Sequence, residues 1–93
     1  MMKSPLDGLK VLELARVLAG PWAGQLLADL GADVIKVESP IGDETRKWGK
    51  DSVNNNSSYF KCTNRGKSSF VANFKKKNEL EMVQHLAKNA DII

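Results

Sequence analysis

Residues 9–38 read LKVLELARVLAGPWAGQLLADLGADVIKVE, and this stretch decides the fold. The apolar run at 9–14 predicts a strand, the segment 21–30 has helical spacing, and the β-branched run at 34–38 predicts a second strand. A strand, a helix and a strand within about 30 residues are typical of a parallel βαβ unit with a right-handed crossover.

The helical segment shows its ends and its apolar face in the sequence. Pro21 suits the first turn of a helix, where its missing N–H is not needed, and Gly31 suits the position just after the last turn. One arc of this helix collects the side chains of Trp22, Ala23, Leu26, Leu27 and Leu30. Gly24, Gln25, Ala28 and Asp29 fall outside that arc, and the spacing does not decide whether Trp22 packs in the core or lines a cleft.

The pattern continues after a polar loop, which we assign to residues 39–58. We expect a third strand at 69–74 and a second helix at 79–90, with Asn78 as its N-cap. Asp91 then begins a fourth strand, at which the sequence ends. The fold class is therefore α/β, and we interpret residues 1–93 as the incomplete N-terminal portion of a single domain.

Composition narrows the class of protein. The 93 residues carry a formal net charge of +3 and include one cysteine and one histidine. Because there is one cysteine, a cysteine-built metal site and an internal disulfide framework are excluded. We expect Cys62 to be a partly buried thiol and His85 to be a surface residue. Neither a membrane span nor a secretory signal is evident. A reducing, cytoplasmic setting fits these features.

Positive charge is concentrated in one segment. Residues 52–78 contain six basic side chains and no acidic one, and the six lie within 61–77. Such a segment indicates a solvated basic surface, a phosphate clamp for a small ligand or, with less support, a nucleic-acid surface.

Two nucleotide-binding motifs are absent. Glu38 ends the second strand, where an acidic side chain meets a ribose in dinucleotide-binding domains, but no G-x-G-x-x-G motif precedes it. The sequence at 66–68, Gly-Lys-Ser, lacks the earlier glycine of a P-loop and precedes a strand rather than a helix. The residue patterns alone therefore predict an α/β domain with a basic anion site and no assigned chemistry.

The ordered motifs nevertheless resemble a known family. They are PLDGLKVLEL at 5–14, RVLAGP at 16–21, LGADVIKVE at 30–38, GDETRKWG at 42–49, NRGKSS at 64–69, Lys75, and ADII at 90–93. Together they resemble the start of a class III CoA-transferase. This is the family of formyl-CoA transferase, L-carnitine CoA-transferase and α-methylacyl-CoA racemase.

The resemblance implies a fold, a ligand and partners. The fold would be the N-terminal part of a Rossmann-like domain, in a subunit that interlocks with a second copy as a homodimer. The ligand would be coenzyme A, bound as an acyl-CoA, with a small carboxylic acid as the second substrate. Neither a metal, a nucleic acid nor a membrane is implied as a partner.

The resemblance also implies a set of CoA contacts. They fall in the loop after the first strand and at the exit of the third strand: Val17, Leu18, Ala19, Ala72, Asn73, Phe74 and Lys75. Several family members carry an arginine where this chain has Ser39, and Arg46 or Lys47 would have to replace that contact. The family's catalytic aspartate lies downstream of residue 93, so we nominate no catalytic residue.

The implied activity is transfer of CoA from an acyl-CoA donor to a carboxylic acid acceptor by the parent protein. Residues 1–93 alone would be inactive. The stretch at 42–49 resembles the transferase branch more than the racemase branch. An α-methylacyl-CoA racemase-like enzyme and a non-catalytic nucleotide-binding fragment remain the alternatives.

Overall fold

The computed structural model describes residues 3–49 and 57–93. Its strands are β1 (Lys10–Glu13), β2 (Asp33–Glu38) and β3 (Ser68–Val71). Its α-helices are α1 (Ala19–Asp29), α2 (Ser58–Asn64) and α3 (Lys77–Lys88), and a short 3₁₀ helix covers Glu44–Lys47. The three strands form a parallel sheet in the order β1-β2-β3. The α/β class predicted from the sequence is confirmed.

Alternating side chains of the strands build one apolar cluster on each face of the sheet. The face toward α1 carries Val11, Ala32 and Val34, with Leu27 and Ala28 of α1 packed on them. The opposite face carries Leu12, Val37, Ala72 and Val83, the last contributed by α3. Because helices cover both faces, every strand can be apolar on both sides, as a parallel sheet requires.

The last residues begin a fourth strand, as predicted. Ile92 forms a parallel bridge with Val11, and its carbonyl accepts the Leu12 N–H at 2.9 Å. The Asp91 carboxylate accepts the Lys10 N–H at 2.8 Å. The chain therefore returns to the edge of β1 that β2 leaves free.

The apolar arc of α1 is buried only in part. Trp22 is 63% exposed and Leu26 is 58% exposed, whereas Pro21, Gly24 and Gln25 are buried. Leu27 of the arc packs on the core, but hydropathy spacing does not indicate which polar partners from distant segments bury the other side of the helix.

Gln25 shows how such partners decide the orientation of α1. Its Nε2 donates to the Cys62 carbonyl at 2.7 Å, and its Oε1 accepts the Arg65 N–H, also at 2.7 Å. Both partners lie at α2 or directly after it, so the amide joins α1 to α2. A buried amide with both ends paired costs little, which lets a polar residue occupy the interface.

Two helical segments lie where the sequence predicted none. The 3₁₀ helix falls inside the predicted loop 39–58, of which residues 50–56 lie outside the described residues. The helix α2 begins after Ser57, whose Oγ accepts the Phe60 N–H at 3.3 Å as an N-cap. Cys62 on α2 is exposed, which corrects the expected partly buried thiol.

The boundaries of β3 and α3 also differ from the prediction. β3 ends at Val71, so Ala72 and the residues after it form a loop rather than strand. Asn73 turns the chain there, since its Oδ1 accepts the Lys75 N–H and its carbonyl accepts the Lys76 N–H, each at 3.0 Å. This turn starts α3 early, so Lys76 and not Asn78 is the N-cap residue.

Candidate functional site

A cavity of about 320 Å³ opens at the carboxyl edge of the sheet. Its walls include residues 14–16 after β1, residues 39–40 after β2 and residues 72–75 after β3. In open parallel sheets, ligands bind in the crevice outside the carboxyl ends of the strands. The position of the cavity therefore makes it the candidate binding site.

Four of the seven predicted contact residues line this cavity. They are Ala72, Asn73, Phe74 and Lys75. The other three are Val17, Leu18 and Ala19, which directly follow the lining residue Arg16 but do not line the cavity themselves. The structure thus brings the exit of β3 to the site, whereas Val17, Leu18 and Ala19 lie just beyond the part of the loop after β1 that lines it.

Arg16 is a lining residue that the sequence reasoning did not assign to the site. Its side chain is 74% exposed, and among the described residues its ion-pair partner is Glu44, at the long distance of 3.7 Å. Its guanidinium is therefore available to an anion entering the cavity. The signal in the sequence is a lone basic residue directly after a strand that ends at the carboxyl edge.

Arg46 does not offer the replacement contact suggested for Ser39. Its Nε donates to Glu38 Oε1 and its Nη2 donates to Glu38 Oε2, each at 2.8 Å. The guanidinium also lies 3.8 Å from the centre of the Phe60 ring. Because the bidentate pair and the stacked ring occupy this group, it is not free to bind a phosphate.

Next to the cavity lies a buried ion cluster, which we define as Glu13, Lys36, Asp43 and Lys67, and of which Lys36 and Asp43 belong to the cavity lining. The Lys36 side-chain nitrogen lies 3.1 Å from Glu13 Oε2 and 3.0 Å from Asp43 Oδ2. Lys67 Nζ lies 2.7 Å from Glu13 Oε1. The cluster contains two positive and two negative groups, so each buried charge has an opposite partner.

Lys67 shows that the basic segment is not a free positive surface. Its Nζ also donates to the Pro21 carbonyl at 2.7 Å and to the Thr63 carbonyl at 3.0 Å. Burial lowers the pKa of Lys67, and the Glu13 carboxylate partly opposes that effect. This side chain ties β3 to α1 and α2 and does not face a ligand.

Other basic side chains of the segment have acidic partners too. Arg65 pairs with Asp29 at 2.6 Å, and Lys76 lies 3.7 Å from Glu79. Lys75 is the member of the segment that lines the cavity. The clamp interpretation therefore rests on Lys75 together with Arg16, rather than on the whole run.

Asp43 is held in place by several donors. Its Oδ1 accepts the Thr45 N–H at 3.0 Å and the Thr45 hydroxyl at 2.8 Å, and its Oδ2 accepts the Val17 N–H at 3.2 Å. Burial alone would raise the pKa of Asp43, but the Thr45 donors and the Lys36 ammonium outweigh it and lower that pKa. The carboxylate is thus a fixed negative group between the loop after β1 and the 3₁₀ helix.

The Glu38 carboxylate is also held by several hydrogen-bond donors of the protein. Besides Arg46, its carboxylate accepts the Ser69 hydroxyl at 2.6 Å and the Asp43 N–H at 2.8 Å. Burial would raise its pKa, but hydrogen bonds from Arg46, Ser69 and Asp43 overcome burial and set the pKa at about 2. Glu38 is therefore a structural anion, which agrees with rejection of the ribose-binding interpretation.

Residues 3–49 and 57–93 contain neither a metal-binding cluster nor a membrane-spanning helix. No group of three or more His, Cys, Asp or Glu side chains in these ranges is arranged to hold a metal ion. None of the helices in these ranges has the length and apolar character needed to cross a bilayer.

A parallel sheet covered by helices on both faces, with a crevice at the carboxyl edge, is the arrangement of α/β proteins that bind ligands at that edge. Residues 6–93 match the sequence profile described as CoA-transferase family III, and the chain belongs to that family. Enzymes of this family use CoA thioesters as substrates. The family resemblance inferred from the ordered motifs is confirmed.

Named relatives and a solved structure agree with this assignment. The succinate–glutarate CoA-transferase of Agrobacterium fabrum is 53% identical over 98% of this chain, which covers 24% of the relative. The human succinyl-CoA:glutarate CoA-transferase is 47% identical over 95% of this chain, which covers 20% of it. The crystal structure of a CAIB/BAIF family protein from Brucella suis superposes with a TM-score of 0.91 at 54% identity, over 98% of this chain and 25% of that one. The chain thus spans about a quarter of the length of these proteins or slightly less.

Proposed function

We propose that this chain is the N-terminal portion of a CoA-transferase that moves coenzyme A from an acyl-CoA to a carboxylic acid. The cavity at the carboxyl edge of the sheet would hold part of the CoA. The observation that carries the proposal is the family match over residues 6–93, joined to a cavity that residues 72–75 line.

The chemistry of the cavity suits the nucleotide end of CoA. Arg16 and Lys75 place two cations on its wall, and the 3′-phosphate and pyrophosphate of CoA are anions that such groups bind. Leu14, Val37, Ala72 and Phe74 supply apolar surface against which an adenine ring can pack. Pockets for small ligands measure roughly 300–1,000 Å³, so a cavity of about 320 Å³ takes one portion of CoA and leaves the rest outside.

The chemical step belongs to a carboxylate beyond residue 93. We infer that an aspartate oxygen there attacks the thioester carbonyl. The C–S bond breaks, CoA leaves as a thiolate, and the acyl group stays on the aspartate as an anhydride. The thiolate then attacks the enzyme's own acyl carbon, which releases the donor acid and leaves an enzyme–CoA thioester. The acceptor carboxylate takes over CoA by the reverse sequence. Residues 1–93 contribute binding and orientation of CoA.

The named relatives suggest the acid substrates. Two relatives at 47% and 53% identity carry names that pair succinate or succinyl-CoA with glutarate. We therefore propose that the parent protein exchanges CoA between short dicarboxylic acids. Such an enzyme would work as a homodimer in the cytoplasm without a metal, and the remainder of the longer polypeptide would supply recognition of the acid.

An exchange assay tests the proposal. The full-length parent protein is incubated with succinyl-CoA carrying labelled CoA and with glutarate, oxalate or acetate in turn, and the CoA thioesters are separated by chromatography. We expect labelled glutaryl-CoA to form, faster than either of the other products. The transferase proposal is wrong if no acid acquires label. Racemisation of a 2-methylacyl-CoA by the same preparation would then support the racemase alternative.

A further inference from the structure

Val17 has an unusual backbone conformation beside the cavity. Its φ is +74°, and it is the one residue other than glycine with positive φ among residues 3–49 and 57–93. A β-branched side chain is disfavoured in this left-handed region, at a cost of about 1–2 kcal/mol. Such a conformation persists only where the surroundings impose it, and it is common at ligand sites.

The buried ion cluster supplies the contacts that impose it. The Val17 N–H points to the Asp43 carboxylate, at 3.2 Å from Oδ2 and 3.4 Å from Oδ1. Two residues earlier, the Ala15 carbonyl accepts a hydrogen bond from Lys36 Nζ at 3.1 Å. Lys36 and Asp43 are themselves paired at 3.0 Å. One ion pair therefore holds the backbone on both sides of Arg16.

Neither member of this pair is free to move with the loop. The side chain of Lys36 is 2% exposed and that of Asp43 is 0% exposed. Lys36 is also fixed by Glu13, and Asp43 by the amide and hydroxyl of Thr45. A loop tied to such rigid groups keeps its shape before a ligand arrives, which reduces the ordering cost of binding.

We propose that Asp43 and Lys36 are positioning residues that hold the backbone at Ala15 and keep Val17 in its left-handed conformation, so that Arg16 stands at the wall of the CoA cavity. The inference rests on the proposed function for the identity of the ligand. It goes beyond that function because it assigns a task to two buried charges of the cavity lining that are already paired within the protein. Their role is exerted through the backbone at Ala15 and Val17.

A matched pair of substitutions separates this role from general stability. Asp43→Asn removes the anion that accepts the Val17 N–H, and we expect it to weaken CoA binding by the full-length parent protein about tenfold. Adding Val17→Gly should restore affinity to within about threefold of the parent, because glycine adopts a positive φ at no steric cost. Adding Val17→Ala should restore nothing, because alanine loses the same side chain and keeps the strain. Asp33→Asn is the control for the aspartate substitution, because Asp33 is exposed and lies at the amino end of β2, whereas the cavity lies at the carboxyl ends of the strands.

Each result of the Val17→Gly and Val17→Ala substitutions either supports or overturns the proposal. Equal rescue by glycine and alanine, or rescue by neither, overturns the proposal, since the left-handed backbone would then not be what Asp43 secures. CoA affinity that Asp43→Asn leaves at the level of Asp33→Asn overturns it as well. Binding is measured by isothermal titration calorimetry, and folding of each variant is checked by circular dichroism.

A measurement on the unsubstituted protein keeps the test valid should Asp43→Asn not fold. Amide hydrogen exchange by NMR is expected to show the Val17 N–H protected at least tenfold relative to an unstructured peptide, although this residue lies in a loop. Exchange at the rate of an unstructured peptide overturns the proposal. This readout needs no ligand, so a parent protein that fails to bind CoA would refute the proposed function while the positioning role is judged on its own.

Discussion

At the scale of single residues, the geometry of the site depends most on Lys36. Its ammonium is the shared partner of Glu13, Asp43 and the Ala15 carbonyl, and the residue is 1% exposed. Removing one partner of a buried ion pair leaves the others charged in a medium that solvates them poorly. The same side chain thus contributes to stability and to the shape of the loop that borders the cavity.

Replacement of Lys36 therefore has a large expected effect. Lys36→Met keeps the approximate length of the side chain but leaves the carboxylates of Glu13 and Asp43 short of a partner. We expect the free energy of unfolding to fall by about 3–5 kcal/mol, measured by urea denaturation of the parent protein. Lys88→Met at an exposed position of α3 is the control and should change it by less than about 0.5 kcal/mol. Equal effects of the two substitutions would contradict the account.

The pKa of Glu38 predicts how stability responds to acid. The native pKa is about 2, below the ordinary value of 4.5, because the hydrogen bonds from Arg46, Ser69 and Asp43 outweigh burial. The carboxylate thus contributes stability that is fully present above about pH 4.5 and is lost as the pH falls toward 2. Asp43, whose pKa is also lowered, acts in the same direction.

Glu38→Gln should reduce this pH dependence. Unfolding curves of the parent protein and of the variant, recorded between pH 6 and pH 2.5, are expected to converge as the pH falls, because only the parent loses the Glu38 contribution. At pH 6 the variant should be less stable by an amount of the order of 3 kcal/mol. Curves that stay parallel across this range would show that Glu38 does not titrate as described.

Sequence reasoning reached residues 72–75 through the family resemblance and missed the buried ion cluster. Lys36 and Glu38 alternate along β2 with apolar residues, a pattern that ordinarily indicates a solvent-facing side. Their partners come from β1, from the 3₁₀ helix and its N-cap residue, and from β3. Spacing along the chain carries no information on which distant charges meet, so only the fold reveals that these groups are buried and paired.

At the scale of elements, Gly24 allows α1 to approach β1. A Cβ built at Gly24 would collide with the Glu13 carboxylate, which Lys36 and Lys67 hold from the other side. Gly24→Ala should therefore displace the carboxylate from its partners. We expect it to destabilise the parent protein by about 1–3 kcal/mol in denaturant unfolding. At an exposed helical position the same change stabilises by up to about 1 kcal/mol, so a gain in stability would contradict this contact.

The helix α2 shows why some elements cannot be predicted from the sequence. Its seven residues, SYFKCTN, carry no clear apolar period, and an isolated helix of this length is unstable in water. Its stability comes from tertiary contacts: Gln25 binds its Cys62 carbonyl, and Trp48 packs edge-on against its Tyr59 with ring centroids 5.0 Å apart. β1, β2 and α1 were predictable because their patterns are local, whereas α2 depends on residues far away in the sequence.

At the scale of the whole molecule, an apolar stripe remains uncovered on α1. We define it as Leu18, Trp22, Leu26 and Leu30, four side chains spaced four residues apart and between 38% and 63% exposed. Contiguous apolar surface of this kind is a site of association when nothing covers it. Since the relatives are about four times longer, the remaining polypeptide is the natural source of cover.

This stripe predicts the behaviour of residues 1–93 expressed alone. The piece should self-associate in sedimentation velocity experiments at micromolar concentration. Trp22→Ser combined with Leu26→Ser should shift it toward the monomer, whereas Met82→Ser on the exposed side of α3 should not. A monomeric piece, or equal effects of both sets of substitutions, would show that the α1 stripe does not drive association.

The central claim is that the cavity at the carboxyl edge of the sheet holds part of CoA, and Lys75 tests it most directly. Isothermal titration of CoA into the full-length parent protein, its Lys75→Ala variant and the exposed control Lys88→Ala gives three dissociation constants. Loss of one charge-assisted contact should weaken binding by Lys75→Ala about 5- to 30-fold, while Lys88→Ala matches the parent. Equal affinity of all three proteins would remove Lys75 from the CoA site and contradict the account.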